Sequence, residues 1–133
     1  MAINHNLKGI GFGTWAWGNK LIWGYDPEKN DPVLREAFKS SVKEGLSLVD
    51  TADSYGTGKL NGRSETLIGE YVSSLSQDHR EKITIATKLA PFPWRLGRNG
   101  LKKAFFASKK RLRGNLDLLQ LHWSTARYAP IQE

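Results

Sequence analysis

Apolar and polar positions along this 133-residue chain switch between two periods, and the switches predict its elements. The apolar, aromatic run Ile10 to Trp17 reads as a strand or a strand with a loop. Gly18, Asn19, Gly24, Asp26 and Pro27 punctuate a loop from Gly18 to Asn30. A helix then follows, with Asp31 as N-cap, Pro32 at its first position, an apolar stripe of Leu34, Phe38 and Val42, and Gly45 as its stop. Leu46 to Val49 forms a short strand ending in Asp50. A glycine-rich loop from Tyr55 to Gly62 leads to Ser64 as the cap of a second helix, whose inner face is Leu67, Ile68, Tyr71, Val72 and Leu75. Ile83 to Thr87, rich in β-branched residues, is a third strand ending in Lys88. Pro91 and Pro93 keep the next stretch out of helix. Asn99 caps a third helix with Leu101, Ala104, Phe105, Ser108 and Leu112 on one side, and Gly114 ends it. Leu116 to Leu121 is a fourth strand ending in His122.

Four strands separated by single amphipathic helices imply βαβ units and a parallel sheet. Periodicity leaves open whether that sheet is doubly wound or belongs to a (β/α)8 barrel. In both, the C-terminal strand ends carry the site. Asp50, Lys88 and His122 stand at three such ends, and Tyr55 lies on the loop above them. A carboxylate keeps a neighbouring ammonium charged, and an ammonium beside a phenol favours phenolate, which makes a tyrosine serviceable as general acid or base. An imidazole at the same place donates to a substrate oxygen. Carbonyl reduction needs this set together with a hydride that no side chain supplies, so it needs a cofactor. The plain alternative is that each residue is an ordinary polar group at a strand end.

Length and composition narrow the picture further. At 39% hydrophobic and 25% charged residues, the chain is a globular domain by composition. It has no apolar run of membrane-spanning length, no signal-peptide core and no cysteine, which suits a cytoplasmic setting and leaves no thiolate metal site. The net charge is +7, and no acid occurs between Glu81 and Asp117. That basic stretch, Lys82 to Arg113, suits nucleic acid, a membrane surface or an anionic cofactor, or is simply a solvated helix face. The solvated face is the preferred reading, because aromatics do not clearly interleave with the basic helix. Gly9 to Gly13 leads into a strand rather than out of one, and Gly56-Thr57-Gly58-Lys59 lacks the hydroxyl residue of a P-loop, so neither reads as a phosphate cradle. His5 and His79 have no metal-ligand partners at useful spacing, and no metal is expected.

The segments themselves resemble a known family. Gly11-Phe12-Gly13-Thr14-Trp15, Leu48 to Gly56 with Ser64 to Gly69, Ala86-Thr87-Lys88 and Leu116 to Trp123 resemble, in order, motifs of the aldo-keto reductases. The resemblance runs from about residue 9 to 124. It implies the N-terminal half of a (β/α)8 TIM barrel, with about four parallel strands and three helices, as one partial domain over 1–133. It implies an NADPH-dependent oxidoreductase that reduces a small aldehyde or ketone: Tyr55 protonates the carbonyl oxygen, Lys88 makes that phenol more acidic, Asp50 holds Lys88, and His122 orients the carbonyl. By the same resemblance Thr14, Trp15 and Asp50 lie near the nicotinamide, and Trp15 and Trp123 line the substrate pocket, with Trp17, Trp23 and Trp94 as further aromatic candidates. A full barrel needs about 250 residues. The expectation is therefore a truncated form, inactive alone, with a fourth helix starting near Glu133. Its open edge strands invite aggregation, self-association or a separately encoded C-terminal half. The competing expectation is a non-catalytic remnant or interaction module with a basic anion-binding face. No membrane partner is expected, and nucleic acid ranks last among partners.

Overall fold

The computed structural model describes residues 9–95 and 98–124; His5 and the expected fourth helix near Glu133 lie outside them. Four parallel strands, β1 (Ile10–Gly13), β2 (Leu46–Asp50), β3 (Thr84–Leu89) and β4 (Leu118–Leu121), pair in the order β1-β2-β3-β4. A doubly wound sheet reverses its strand order at a switch point. This sheet does not, so its sequential order is that of a (β/α) barrel segment. Five helices accompany it: α1 (Lys20–Trp23), α2 (Pro27–Lys43), α3 (Arg63–Ser73), α4 (Gln77–Glu81) and α5 (Arg98–Arg111).

Side chains alternate across the strands. Val49 and Ile85 are buried beneath Phe38 and Val42 of α2 and Leu67, Ile68, Tyr71 and Val72 of α3, with Leu112 beyond α5 closing the core. Leu48, Asp50, Ala86, Lys88 and Gln120 share the opposite face, as the registers Asp50↔Ala86 and Lys88↔Gln120 require. The glycines at the start of the chain serve packing: a Cβ on Gly11 would come within 2.9 Å of the Leu48 side chain on the neighbouring strand.

Three expectations about helices need correction. The segment 18–30 is not all loop. Asn19 and Gly24 are the caps of the one-turn α1, with the Asn19 carboxamide accepting from Ile22 N at 3.0 Å and Gly24 left-handed at φ 61°. The chain offers two Asp-Pro pairs five residues apart, and α2 starts at the first. Asp26 is its N-cap, accepting from Glu28 N at 3.1 Å, whereas Asp31 and Pro32 lie inside the helix. The reason is tertiary: the Asp31 carboxylate is held by Arg63 and the Tyr25 hydroxyl, and its carbonyl accepts from Tyr71 Oη at 2.9 Å. Burial raises both phenols, Tyr25 and Tyr71, to about 12, so they stay protonated donors. Finally, α3 is capped by left-handed Gly62 rather than Ser64. The Ser64 hydroxyl is drawn inward into a buried chain in which Thr51 Oγ1 lies 3.0 Å from Ser64 Oγ, Ser64 donates to Thr14 Oγ1 at 2.7 Å, and Thr14 donates to the Asp50 carbonyl at 3.1 Å. With α1 and α4, the expected three helices become five α-helices among the described residues.

Two charge clusters, one with a fully buried carboxylate and one half-buried, join the layers. Glu65 of α3, fully buried, accepts from Arg111 Nε at 2.7 Å and from Thr87 Oγ1 of β3 at 2.5 Å. Arg80 grips Asp117 through Nη2 at 3.0 Å to each carboxylate oxygen, while Asp117 also accepts from Ile85 N at 2.8 Å, which aligns the entry to β4 with β3. Close approach of α5 to α3 depends on Gly69, where a Cβ would stand 2.3 Å from the Arg111 carbonyl oxygen. Gly69→Ala is expected to cost about 1–3 kcal/mol through overpacking. A fall in urea midpoint at unchanged slope would register it, and an unaltered midpoint would count against so tight a contact.

β1 and β4 are the edges of this sheet. Beside β4, Leu89, Leu101, Phe105, Leu119 and Leu121 line an apolar groove of about 370 Å³, and Leu118, Leu119 and Leu121 are 40–47% exposed. No described helix is long and apolar enough to cross a membrane.

Candidate active site

The parallel strands bring their C-terminal ends to one rim. β2 delivers Asp50, β3 delivers Lys88, and His122 follows β4 directly, its backbone N–H bonded to the Leu89 carbonyl at 3.0 Å. Past β2 the chain runs along β3, with Thr51 N and Asp53 N donating to the Ala86 and Lys88 carbonyls. That path lifts Tyr55 over the rim. The turn after it requires glycine, because Gly56 has φ 113° and its Cβ would stand 1.9 Å from the Leu60 carbonyl.

Lys88 is the hub. Its Nζ donates to Asp50 Oδ2 at 2.6 Å and to the Thr51 carbonyl at 2.9 Å, and it sits 5.4 Å from the centre of the Tyr55 ring. The Tyr55 and His122 rings meet edge to face at 5.7 Å. Carboxylate, ammonium, phenol and imidazole therefore form one cluster at the mouth of the sheet. Each is only partly buried, so solvent and ligands reach it. A carboxylate held by an ammonium, next to a phenol and an imidazole, can deliver a proton to an oxygen and hold that oxygen in place.

Burial is the main cause that pushes the His122 imidazole below its ordinary value. The Lys88 charge adds to this, while Asp53 and Asp50 oppose it. The ring is therefore neutral at pH 7. Because the folded state holds this proton less tightly than the unfolded chain, the histidine's contribution to stability is complete above about pH 6.5. It is lost as pH falls from there through the lower folded value. In an NMR titration the His122 midpoint is expected below that of a free imidazole, and Lys88→Met is expected to move it back up. No movement would remove Lys88 from the imidazole's surroundings.

The other expected site residues divide. Trp15 is half-exposed beside the rim and packs edge-on against Trp23 at 5.9 Å. Trp123, also exposed, packs against His122 at 5.1 Å and Phe92 at 5.4 Å, and Phe92 stacks on Trp94 at 4.6 Å. Trp17 belongs to the core. Thr14 is fully buried, its hydroxyl spent between Ser64 and the Asp50 carbonyl, so it offers a cofactor no open surface and acts by steadying Asp50 from below.

Sequence reading missed three neighbours of the cluster. Ser54 Oγ lies 3.4 Å from His122 Nδ1. Gln120 Nε2 lies 3.5 Å from Asp50 Oδ1, and period-two alternation from His122 was the signal that places it on the same face. Buried Asp53 is tied to Arg95 and accepts from Ala90 N at 3.1 Å, which fixes the loop above β3. Nor is the basic stretch a free field of charge: Lys82, Lys88, Arg95, Arg111 and Arg113 are paired with Asp78, Asp50, Asp53, Glu65 and Glu70.

Known proteins resemble this chain in sequence and fold. The chain is 48% identical over 131 residues to the chloroplastic pyridoxal reductase of Arabidopsis thaliana, covering 96% of this chain and 36% of that protein. It is 32% identical over 132 residues to the aldo-keto reductase YhdN of Bacillus subtilis, covering 93% of this chain and 36% of that protein. An aldo/keto reductase crystal structure from Brucella melitensis superposes with a TM-score of 0.55 at 26% identity, over 86% of this chain and 37% of that one. The chain thus spans about a third of the length of the relatives it matches, and its sheet is a partial (β/α) barrel of their kind. Residues 9–133 match the model of the Aldo/keto reductase family, and with that the chain belongs to the family.

Proposed function

We propose that this chain carries the proton-transfer half of an NADPH-dependent carbonyl reductase. The observation that supports this most is the single cluster in which Lys88 Nζ stands 2.6 Å from Asp50 Oδ2 and 5.4 Å from the Tyr55 ring. In this reading Tyr55 Oη gives its proton to the carbonyl oxygen as that oxygen becomes an alkoxide. Lys88, held by Asp50, places its positive charge 5.4 Å from the centre of the Tyr55 ring. His122, neutral, donates to the same oxygen from Nε2 in the tautomer whose Nδ1 accepts from the Ser54 hydroxyl. The nicotinamide cofactor supplies the hydride when bound. The rim suits the reacting end of such a cofactor: among the described residues Asp50 Oδ1 has only the long Gln120 contact, which leaves it open to a ribose hydroxyl, and Trp15 presents an exposed ring beside the rim. The substrate proposed is a small aldehyde or ketone. Pyridoxal is the first to assay, because the name of the 48%-identical relative states that activity and because Phe92, Trp94 and Trp123 line the approach with rings. We place the reaction in the cytoplasm.

Turnover in this reading requires the rest of a barrel. The exposed leucines of β4 and the adjoining groove are where further strands and helices would pack, supplied by a C-terminal half or a second copy. NADPH fluorescence titration of the 133-residue chain, alone and joined to a C-terminal half, tests this. Binding and pyridoxal reduction should appear only in the joined form. A joined, folded protein that binds NADPH but reduces no carbonyl would leave the non-catalytic remnant as the reading.

A further inference from the structure

The outer face of α5 takes no part in the site, and its composition is not that of an ordinary solvated helix. Phe106 is 54% exposed there. At 3.6 residues per turn, Lys102, Lys103, Lys109 and Lys110 all fall within about 60° of it around the helix axis, two on the turn before and two on the turn after. All four are exposed, and none has a carboxylate partner among the described residues. The acids that α5 and its end do meet, Glu65 and Glu70, are already paired with Arg111 and Arg113. The Phe106 ring meets Phe105 edge to face at 5.2 Å yet keeps more than half of its surface exposed at the centre of the four lysines, while the helix buries its other side, Ala104 and Ser108.

We propose that this face docks the protein onto an anionic phospholipid surface, independently of the catalytic reading. The four ammonium groups meet lipid phosphates and carboxylates, their hydrocarbon stems lie along the interface, and the Phe106 ring enters the boundary between headgroups and acyl chains. A planar bilayer touches all five side chains of a convex face at once. Single-stranded nucleic acid fits less well, because it is bound by grooves with several stacking rings, whereas this face exposes one large ring and the adjoining groove, which Lys102 and Phe105 border, is lined mainly by leucines.

Flotation of the 133-residue chain with vesicles of mixed phosphatidylserine and phosphatidylcholine, against phosphatidylcholine alone, tests the proposal, since aggregates sink while bound protein floats. Binding is expected only with phosphatidylserine, and it should weaken with salt. Each lysine near such a surface contributes about a fivefold factor in affinity, so Lys103→Glu with Lys110→Glu should lower affinity at least about 25-fold. Phe106→Ser should lower it at unchanged charge. Lys43→Glu with Lys59→Glu, exposed lysines elsewhere, should fall well short of the α5 pair. Equal losses from the two lysine pairs would reduce the effect to net charge and overturn the proposal. Flotation with both vesicle types or with neither would overturn it too, as would retention on oligothymidylate in place of vesicles.

Discussion

Tyr55→Phe, in a polypeptide carrying the whole barrel, is expected to lower carbonyl reduction by about 10²–10⁴-fold, the range spanned by a positioned general acid, with NADPH affinity unchanged. The substitution removes one oxygen and little else. The ring keeps its approach to the Lys88 ammonium and its edge contact with His122, and the Lys88–Asp50 bond does not involve it. That makes Tyr55 a cleaner probe than Lys88, whose loss would also free Asp50 and the Thr51 carbonyl. NADPH oxidation at saturating substrate measures the first quantity and cofactor fluorescence the second. If affinity falls as far as turnover does, the phenol is holding the site together rather than donating a proton.

The largest expected effect on stability comes from the far side of β3. Arg111→Met leaves the Glu65 carboxylate fully buried with Thr87 as its remaining partner. Breaking a buried pair from one side costs about 3–5 kcal/mol, a large share of the roughly 5–15 kcal/mol that holds a domain together. The cost exceeds that of lost packing because an uncompensated charge stays behind. Glu65→Gln in the same chain removes that charge, so the double variant should be more stable than Arg111→Met alone. Chemical denaturation of both variants reads the difference. A double variant no better than the single one would show that the arginine contributes by filling space over Gly62, against which its guanidinium packs.

The cluster at the rim was legible because its residues sit where strand periodicity ends. Asp50, Lys88 and His122 close three apolar runs, and parallel pairing alone carries such positions to one edge. Gln120 was equally available, two residues before His122, but an amide on an edge strand carries no chemical signal of its own. The misplaced helix start had a different cause. Asp26-Pro27 and Asp31-Pro32 are equivalent as local capping signals, and Tyr25 reaches the second only once the fold has formed. Arg63 and Tyr71, more than thirty residues away, take the second aspartate for the fold. Ser64 is a similar case: a hydroxyl beside a helix start caps it unless a buried partner competes, and Thr14 and Thr51 do.

Local pattern by itself therefore determined the four strands, the amphipathic faces of the three long helices, and the chemical set Asp50, Tyr55, Lys88 and His122, because each depends on neighbours within a turn or a pleat. Periodicity left the winding of the sheet open, the family resemblance implied a barrel, and the tertiary structure showed the sequential strand order of a barrel segment. It also decided the burial of Thr14, the capture of Lys88, Arg95, Arg111 and Arg113 in long-range ion pairs and the exposure of Phe106 among the lysines left over. Those outcomes rest on which distant groups compete for the same hydrogen bond or the same buried volume, a contest settled only when the layers pack.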